Sequence, residues 1–153
     1  MKLVEGLQNK GHHLYCDNFY SSPDLFTDLR RLGFGACGTV RLNRQGLPER
    51  IQCQSKLSKG EVISVTNHGL LSLKWMDKRA VTMISTIHDD SMVATSRRSR
   101  FAEGGQEVVQ KPKCIVEYNR HMGGVDLSDQ MVSYYSFSHR TVKWWRRVFF
   151  PSD

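Results

Sequence analysis

The sequence predicts an α/β chain, and three features lead there. A strand, a helix and a second strand follow one another within about 30 residues near the N-terminus. A middle stretch is rich in Val, Ile, Leu and Thr between turn residues, and helical patterning begins after Pro112. The first strand reads as His12-His13-Leu14-Tyr15-Cys16-Asp17-Asn18 and ends on an acidic residue. Ser22 can cap the following helix, Pro23 suits its first position and Asp24 complements its dipole. Leu25, Leu29 and Leu32, with Phe26 beside them, mark the buried face, and Gly33 stands where a left-handed residue ends a helix. The second strand is expected over Ala36–Arg41.

The β-rich part predicts three strands, Glu61–Val65, Leu70–Trp75 and Ala80–Ile87, as an antiparallel meander. Asn67-His68-Gly69 and Met76-Asp77-Lys78-Arg79 read as its turns. From Asp89 to Lys111 periodicity is lost around Ser96-Arg97-Arg98-Ser99-Arg100 and Gly104-Gly105, so a mobile basic loop is expected. Two helical pieces, broken at Gly123-Gly124, are expected beyond Pro112.

Composition narrows the function classes. Leu, Ile, Val and Phe supply 38 of 153 residues, enough for a folded core. No run approaches the roughly 18 apolar residues of a membrane span, and the first residues lack a signal-peptide core, so no membrane role is expected. The four cysteines (Cys16, Cys37, Cys53, Cys114) form no Cys-x-x-Cys pair, which removes the ligand set of a zinc finger and favours free thiols. Lys and Arg exceed Asp and Glu to give a net charge of +7, which favours a polyanionic partner, nucleic acid before membrane surface. Arg140, Lys143, Arg146 and Arg147 interleave with Trp144 and Trp145, a pattern suited to phosphate contact and base stacking and equally to an amphipathic helix with aromatic core. Arg97, Arg98 and Arg100 read as a nucleic-acid or nuclear-import patch or as a solvated charge run.

Two carboxylate positions carry potential chemistry. Asp17 ends a strand, and Asp126 and Asp129 lie three apart on one helix face. They read as a turn residue and helix-terminal acids, or as ligands converging on divalent ions that promote phosphodiester cleavage. Spacing does not separate these alternatives.

The motifs themselves resemble a known family. Leu14-Tyr15-Cys16-Asp17-Asn18-Phe19-Tyr20-Ser21-Ser22-Pro23 and Gly38-Thr39-Val40-Arg41-Leu42-Asn43-Arg44-Gln45-Gly46-Leu47-Pro48 closely resemble the piggyBac transposase family. So do Lys74-Trp75-Met76-Asp77-Lys78-Arg79, Tyr118-Asn119-Arg120-His121-Met122-Gly123-Gly124-Val125-Asp126, Asp129-Gln130-Met131 and Lys143-Trp144-Trp145, in family order. The resemblance implies a ribonuclease-H-like core in which three aspartates bind two Mg²⁺ ions. Its implied reaction is cut-and-paste DNA transposition in the nucleus: nicking at transposon ends, hairpin formation and transfer into TTAA targets, by a protein that is a homodimer at full length. The family's second and third catalytic aspartates fall on Asp17 and Asp126, with Asp129 a neighbouring metal-ligand candidate. Arg41 and Arg44 match family positions and read as DNA contacts or as a solvated loop pair; with Arg140, Lys143, Trp144, Arg146 and Arg147 they are the expected DNA-binding residues.

On this resemblance the chain divides into part of the core over 1–43, a β-rich insertion over 44–90, a basic loop over 91–111 and the helical end of the core over 112–153. The core is expected to be incomplete. Glu5 is the sole acid before Asp17, and nothing matches the family's first catalytic aspartate. A partial chain of this kind is expected neither to cleave DNA alone nor to complete its sheet, leaving Tyr15–Asp17 and Ala36–Arg41 with unpaired edges. The alternative expectation is a domesticated, non-catalytic DNA-binding or scaffold protein.

Overall fold

A computed structural model of the chain describes residues 4–53, 57–98 and 105–134, apart from the side chains of residues 125, 126, 128, 129 and 132–134. It separates into two units, Met1–Arg120 and His121–Asp153. The first unit is built on a five-stranded sheet of order β1-β2-β5-β4-β3. Its strands are β1 (His13–Cys16), β2 (Gly35–Thr39), β3 (Val62–Asn67), β4 (Leu70–Met76) and β5 (Ala80–Ser85).

The helix α1 (Pro23–Arg31) connects β1 to β2, which run parallel. The Ser22 hydroxyl caps it by accepting the Leu25 amide, and Phe26 and Leu29 are buried. Its C-terminus is closed by two bonds, Gly33 N–H to Arg30 C=O and Phe34 N–H to Leu29 C=O. This double closure needs a left-handed residue, and Gly33 supplies it at φ +78°.

Strand alternation assigns the two faces of the sheet. Leu14, Cys16, Ala36 and Ile84 pack with Phe26 and Leu29 of α1. Tyr15, Cys37, Met83, Leu71, Leu73 and Trp75 pack with Cys114, Ile115 and Tyr118 at the start of α3 (Lys113–Tyr134). One sheet thus carries two apolar layers. Lys74, 2% exposed, donates from Nζ to the Cys53 carbonyl at 2.8 Å, which pairs an otherwise buried cation with the end of the short helix α2 (Glu49–Gln52).

Four expectations need correction. The Ala36–Arg41 strand has no open edge, because β5 runs antiparallel along β2 with Cys37 opposite Ser85 and Thr39 opposite Met83. The β-rich segment therefore continues the β1–β2 sheet. Met83 and Ile84 are each almost fully buried, on opposite faces, which suits β5 to an interior position. Of the two parallel strands, β1 alone lies at an edge of the described sheet, whose other edge is β3.

The second correction concerns the loop expected over 91–111. Residues Met92–Arg98 (β6) and Gln106–Pro112 (β7) form an antiparallel hairpin with Thr95 opposite Val109. Exposure alternates along β7, and Arg97 bridges Asp77 at 3.1 Å and Glu107 at 3.2 Å, tying the hairpin to the β4–β5 turn. The basic, Ser-rich composition hid a strand whose apolar residues are few. Third, Gly123 and Gly124 do not interrupt α3, which runs from Lys113 to Tyr134. Glycine weakens a helix interior by about 1 kcal/mol without forbidding it. Fourth, α2 falls inside the stretch read as β, since Pro48 opens one turn of helix around buried Ile51.

The meander turns follow expectation. His68 and Gly69 both have positive φ, +46° and +73°, and link β3 to β4 as a two-residue turn of the type that matches strand twist. The Arg30 guanidinium donates to the His68 carbonyl, joining α1 to this turn. In the second unit, the later turns of α3 expose Leu127 and Met131. Among the described residues no helix is long and apolar enough to cross a membrane.

Candidate functional site

The site is built at the carboxyl ends of the two parallel strands. The last registered pair is Cys16 with Gly38, so Asp17 and Thr39 stand together one residue further on. Asp17 is exposed, and its Oδ1 accepts a long contact of 3.4 Å from the Thr39 hydroxyl. Thr39 Oγ1 in turn lies 3.5 Å from the Tyr118 hydroxyl on α3. A strand-end carboxylate is thereby oriented by a hydroxyl on the neighbouring strand and a phenol on the covering helix.

The backbone after Asp17 is pinned from several sides. The Tyr20 and Ser21 amides both donate to the Asp17 carbonyl at 3.1 Å. The buried Ser21 hydroxyl bonds the same carbonyl at 2.9 Å and reaches Cys16 C=O at 3.3 Å. Gly38 makes room for this. A β-carbon there would sit 2.5 Å from the Cys16 oxygen and 2.6 Å from Ser21 Oγ. On the outer side Arg44 Nη2 donates to the carbonyls of Asn18 and Phe19, each at 3.0 Å, and Arg41 Nε donates to Asn18 Oδ1 at 3.3 Å. The Arg44 Nε is buried with no hydrogen-bond partner among the described groups.

The predicted site residues are therefore placed unequally. Asp17, Arg41 and Arg44 come together around one turn, and both arginines are engaged with the chain's own turn. Asp126 and Asp129 lie on α3, but their side chains fall outside the described ones. Arg140, Lys143, Trp144, Arg146 and Arg147 lie outside the described residues, as does Arg100. Thr39 and Tyr118 belong to the family-like motifs, and the sequence alone assigns them no role. The signal for Thr39 was its place one residue past the pairing of two parallel strands; Tyr118 required the tertiary fold.

The core beneath the turn is chemically quiet. All four cysteines are free. Burial pushes the Cys37 thiol up to about 12 and the Cys114 thiol to about 11, so both stay protonated at neutral pH. Burial likewise raises the Tyr15 phenol and the Cys16 thiol. His88, on the α3 side, is shifted down by burial and takes Ser85 Oγ at 2.9 Å from Nδ1.

Asp17 offers a hard, solvent-facing carboxylate of the kind Mg²⁺ accepts. Among the described residues no three His, Cys, Asp or Glu side chains gather to hold a metal ion. The described part of the site supplies a single ligand arm.

Comparisons with known proteins identify the family. A family model described as Transposase IS4 matches residues 1–151. The human PiggyBac transposable element-derived protein 3 is 30% identical over 142 residues, covering 88% of this chain and 23% of that protein. The human PiggyBac transposable element-derived protein 2 is 28% identical over 156 residues, covering 95% and 26% respectively. The chain thus spans about a quarter of the length of these relatives. Its fold is similar to that of a piggyBac transposase solved by cryo-EM in a synaptic complex with hairpin DNA, with a TM-score of 0.71 and 24% identity over 97% of this chain and 30% of that one. The family match across residues 1–151, joined to these likenesses, establishes that the chain belongs to the transposase IS4 family and is a piggyBac-family protein.

Proposed function

We propose that the chain supplies part of the DNA-processing core of a piggyBac-type transposase, with Asp17 and Asp126 as metal-binding carboxylates and Asp129 as a neighbouring acid. The observation that carries this reading is the exposed Asp17 carboxylate at the carboxyl end of a parallel strand pair, where open α/β sheets place their ligands. On this reading the β1–β2 pair with α1 is part of a ribonuclease-H-like core, and the parent protein cuts and joins DNA in the nucleus. Its substrates are transposon ends and TTAA targets, and it works as a dimer. Mg²⁺ is the proposed ion; it would activate an attacking oxygen and offset charge on the leaving one.

This chain's own residues do the positioning. Thr39 orients the Asp17 carboxylate, while Arg44 and Ser21 fix the backbone that carries it. Arg41, at the turn's exposed face, is placed to meet a phosphate. Arg140, Lys143, Trp144, Arg146 and Arg147 extend the proposed DNA contact. The net charge of +7 supports a phosphate-bearing partner.

The test is binding of the purified chain to a DNA hairpin, followed by fluorescence anisotropy at 50–200 mM salt. Affinity is expected to fall steeply with salt, as phosphate contacts release counterions. Absence of binding, or binding indifferent to salt, contradicts the reading. If binding persists and Mg²⁺ affects neither it nor the Asp17→Asn variant differently, the non-catalytic DNA-binding alternative is favoured.

A further inference from the structure

We propose that Phe19 and Tyr20 form a stacking platform for an unpaired nucleobase of the DNA strand brought to Asp17. This rests on the proposed function and adds a recognition element to it. The two rings are 68% and 69% exposed, the most exposed aromatic side chains among the described residues. They contact each other edge to face, with centroids 5.1 Å apart and planes at 80°.

Their exposure is held in place by the fold. The turn beneath them is fixed by the Tyr20 and Ser21 amides on Asp17 C=O and by Arg44 Nη2 on the carbonyls of Asn18 and Phe19. Every one of these bonds engages backbone, so the turn is anchored while the rings stay uncovered. A platform fixed in advance loses little freedom on binding.

Size and charge select the occupant. Two aromatic side chains offer about 150–250 Å² each, far below the roughly 1,200 Å² of a stable protein interface but suited to one or two bases. Arg41 and Arg44 place positive charge on the same turn, as a nucleic-acid backbone requires. A base reaches a ring face only when it is unstacked, so the strand at this point is single-stranded or locally opened.

The test uses the purified 153-residue chain, a labelled single-stranded oligonucleotide and the same strand with a run of abasic positions at its centre. Phe19→Ala and Tyr20→Ala are expected to weaken binding to the intact strand roughly 5- to 100-fold, while Phe19→Tyr stays near wild type. On the abasic strand wild type is expected to bind as weakly as the alanine variants, which lose nothing further. Unchanged affinity of the alanine variants overturns the proposal, as does an equal loss on both strands. Loss of self-association in sedimentation without loss of DNA affinity overturns it too, and assigns the rings to a protein contact. Salt-dependent binding to duplex DNA that ignores the aromatic variants refutes the platform alone, whereas failure to bind any DNA refutes the proposed function with it.

Discussion

Replacing Gly38 by alanine tests how the parallel strands and the Asp17 turn are coupled. The new β-carbon would lie 2.5 Å from the Cys16 carbonyl oxygen, 2.6 Å from Ser21 Oγ and 3.2 Å from Phe26 Cζ, against the 3.4 Å at which ordinary contact begins. None of the three can yield easily. The first is the backbone of the partner strand, the second is bonded to two carbonyls, and Phe26 is fully buried. Relief therefore requires β1 to separate from β2 or Ser21 to leave its bonds. Overpacking of this kind costs about 1–3 kcal/mol, and the loss of the Ser21 bonds brings the expected total to about 3 kcal/mol. Urea unfolding measures it, and the melting temperature should fall by roughly 6–12 °C. Hydrogen exchange at the Tyr20 and Ser21 amides, both bonded to Asp17 C=O, should accelerate with it. Gly35→Ala is a useful contrast, because there the three nearest atoms to the β-carbon belong to the side chains of Ile87 and His13; its cost should be smaller. A Gly38→Ala protein within 0.5 kcal/mol of wild type, with unchanged exchange at Tyr20 and Ser21, refutes the coupling.

Other consequences can be checked alongside. Gly123→Ala meets nothing within 4 Å and lies inside α3, so it should stabilise the helix by about 0.5–1 kcal/mol and raise the helical circular-dichroism signal; a loss of helix would restore the broken-helix expectation. Arg44→Met removes two charge-assisted bonds to the Asn18 and Phe19 carbonyls and should cost about 1.5 kcal/mol, with limited proteolysis newly cutting at the 17–21 turn. Arg97→Ala should destabilise the hairpin slightly, with a smaller effect at high salt, because its two ion pairs are partly exposed; chemical denaturation at two ionic strengths reads it. The buried Cys37 and Cys114 thiols have folded values raised to about 12 and 11, above the ordinary value of 9.0. Below pH 9 their contribution is fully present. Above it the unfolded chain releases those protons first, so stability should fall by up to about 1.4 kcal/mol per pH unit for each thiol until its folded value is reached. Thiol labelling at neutral pH should find Cys53 fast and both buried thiols protected.

What was legible in the sequence depended on local chemistry. Ser22, Pro23 and Gly33 fix the ends of α1 through caps that operate within a few residues, and those ends are where the motif places them. His68-Gly69 announces its turn for the same reason. The sheet's continuity was not legible, because nothing in the sequence near Thr39 states that Met83 lies beside it; that pairing joins residues more than 40 positions apart. The hairpin of β6 and β7 escaped notice because its strands bury little, and their order rests on cross-strand bonds and on Arg97 reaching Asp77. At the candidate site, Asp17 and its arginines were visible as motif positions. The direction of Arg44 into backbone carbonyls and the arrival of Tyr118 beside Thr39 were tertiary facts. The exposure of Phe19 and Tyr20 runs against their hydrophobic character, so composition alone would have buried them.

The claim that Asp17 is a metal-binding carboxylate at a strand end is tested most directly by titrating the ¹⁵N-labelled chain with Mn²⁺ as a paramagnetic substitute for Mg²⁺. Amide signals of residues 15–21 and 38–40 are expected to broaden first, and Asp17→Asn to abolish that broadening without altering the rest of the spectrum. Broadening centred elsewhere, or unaffected by Asp17→Asn, would contradict it.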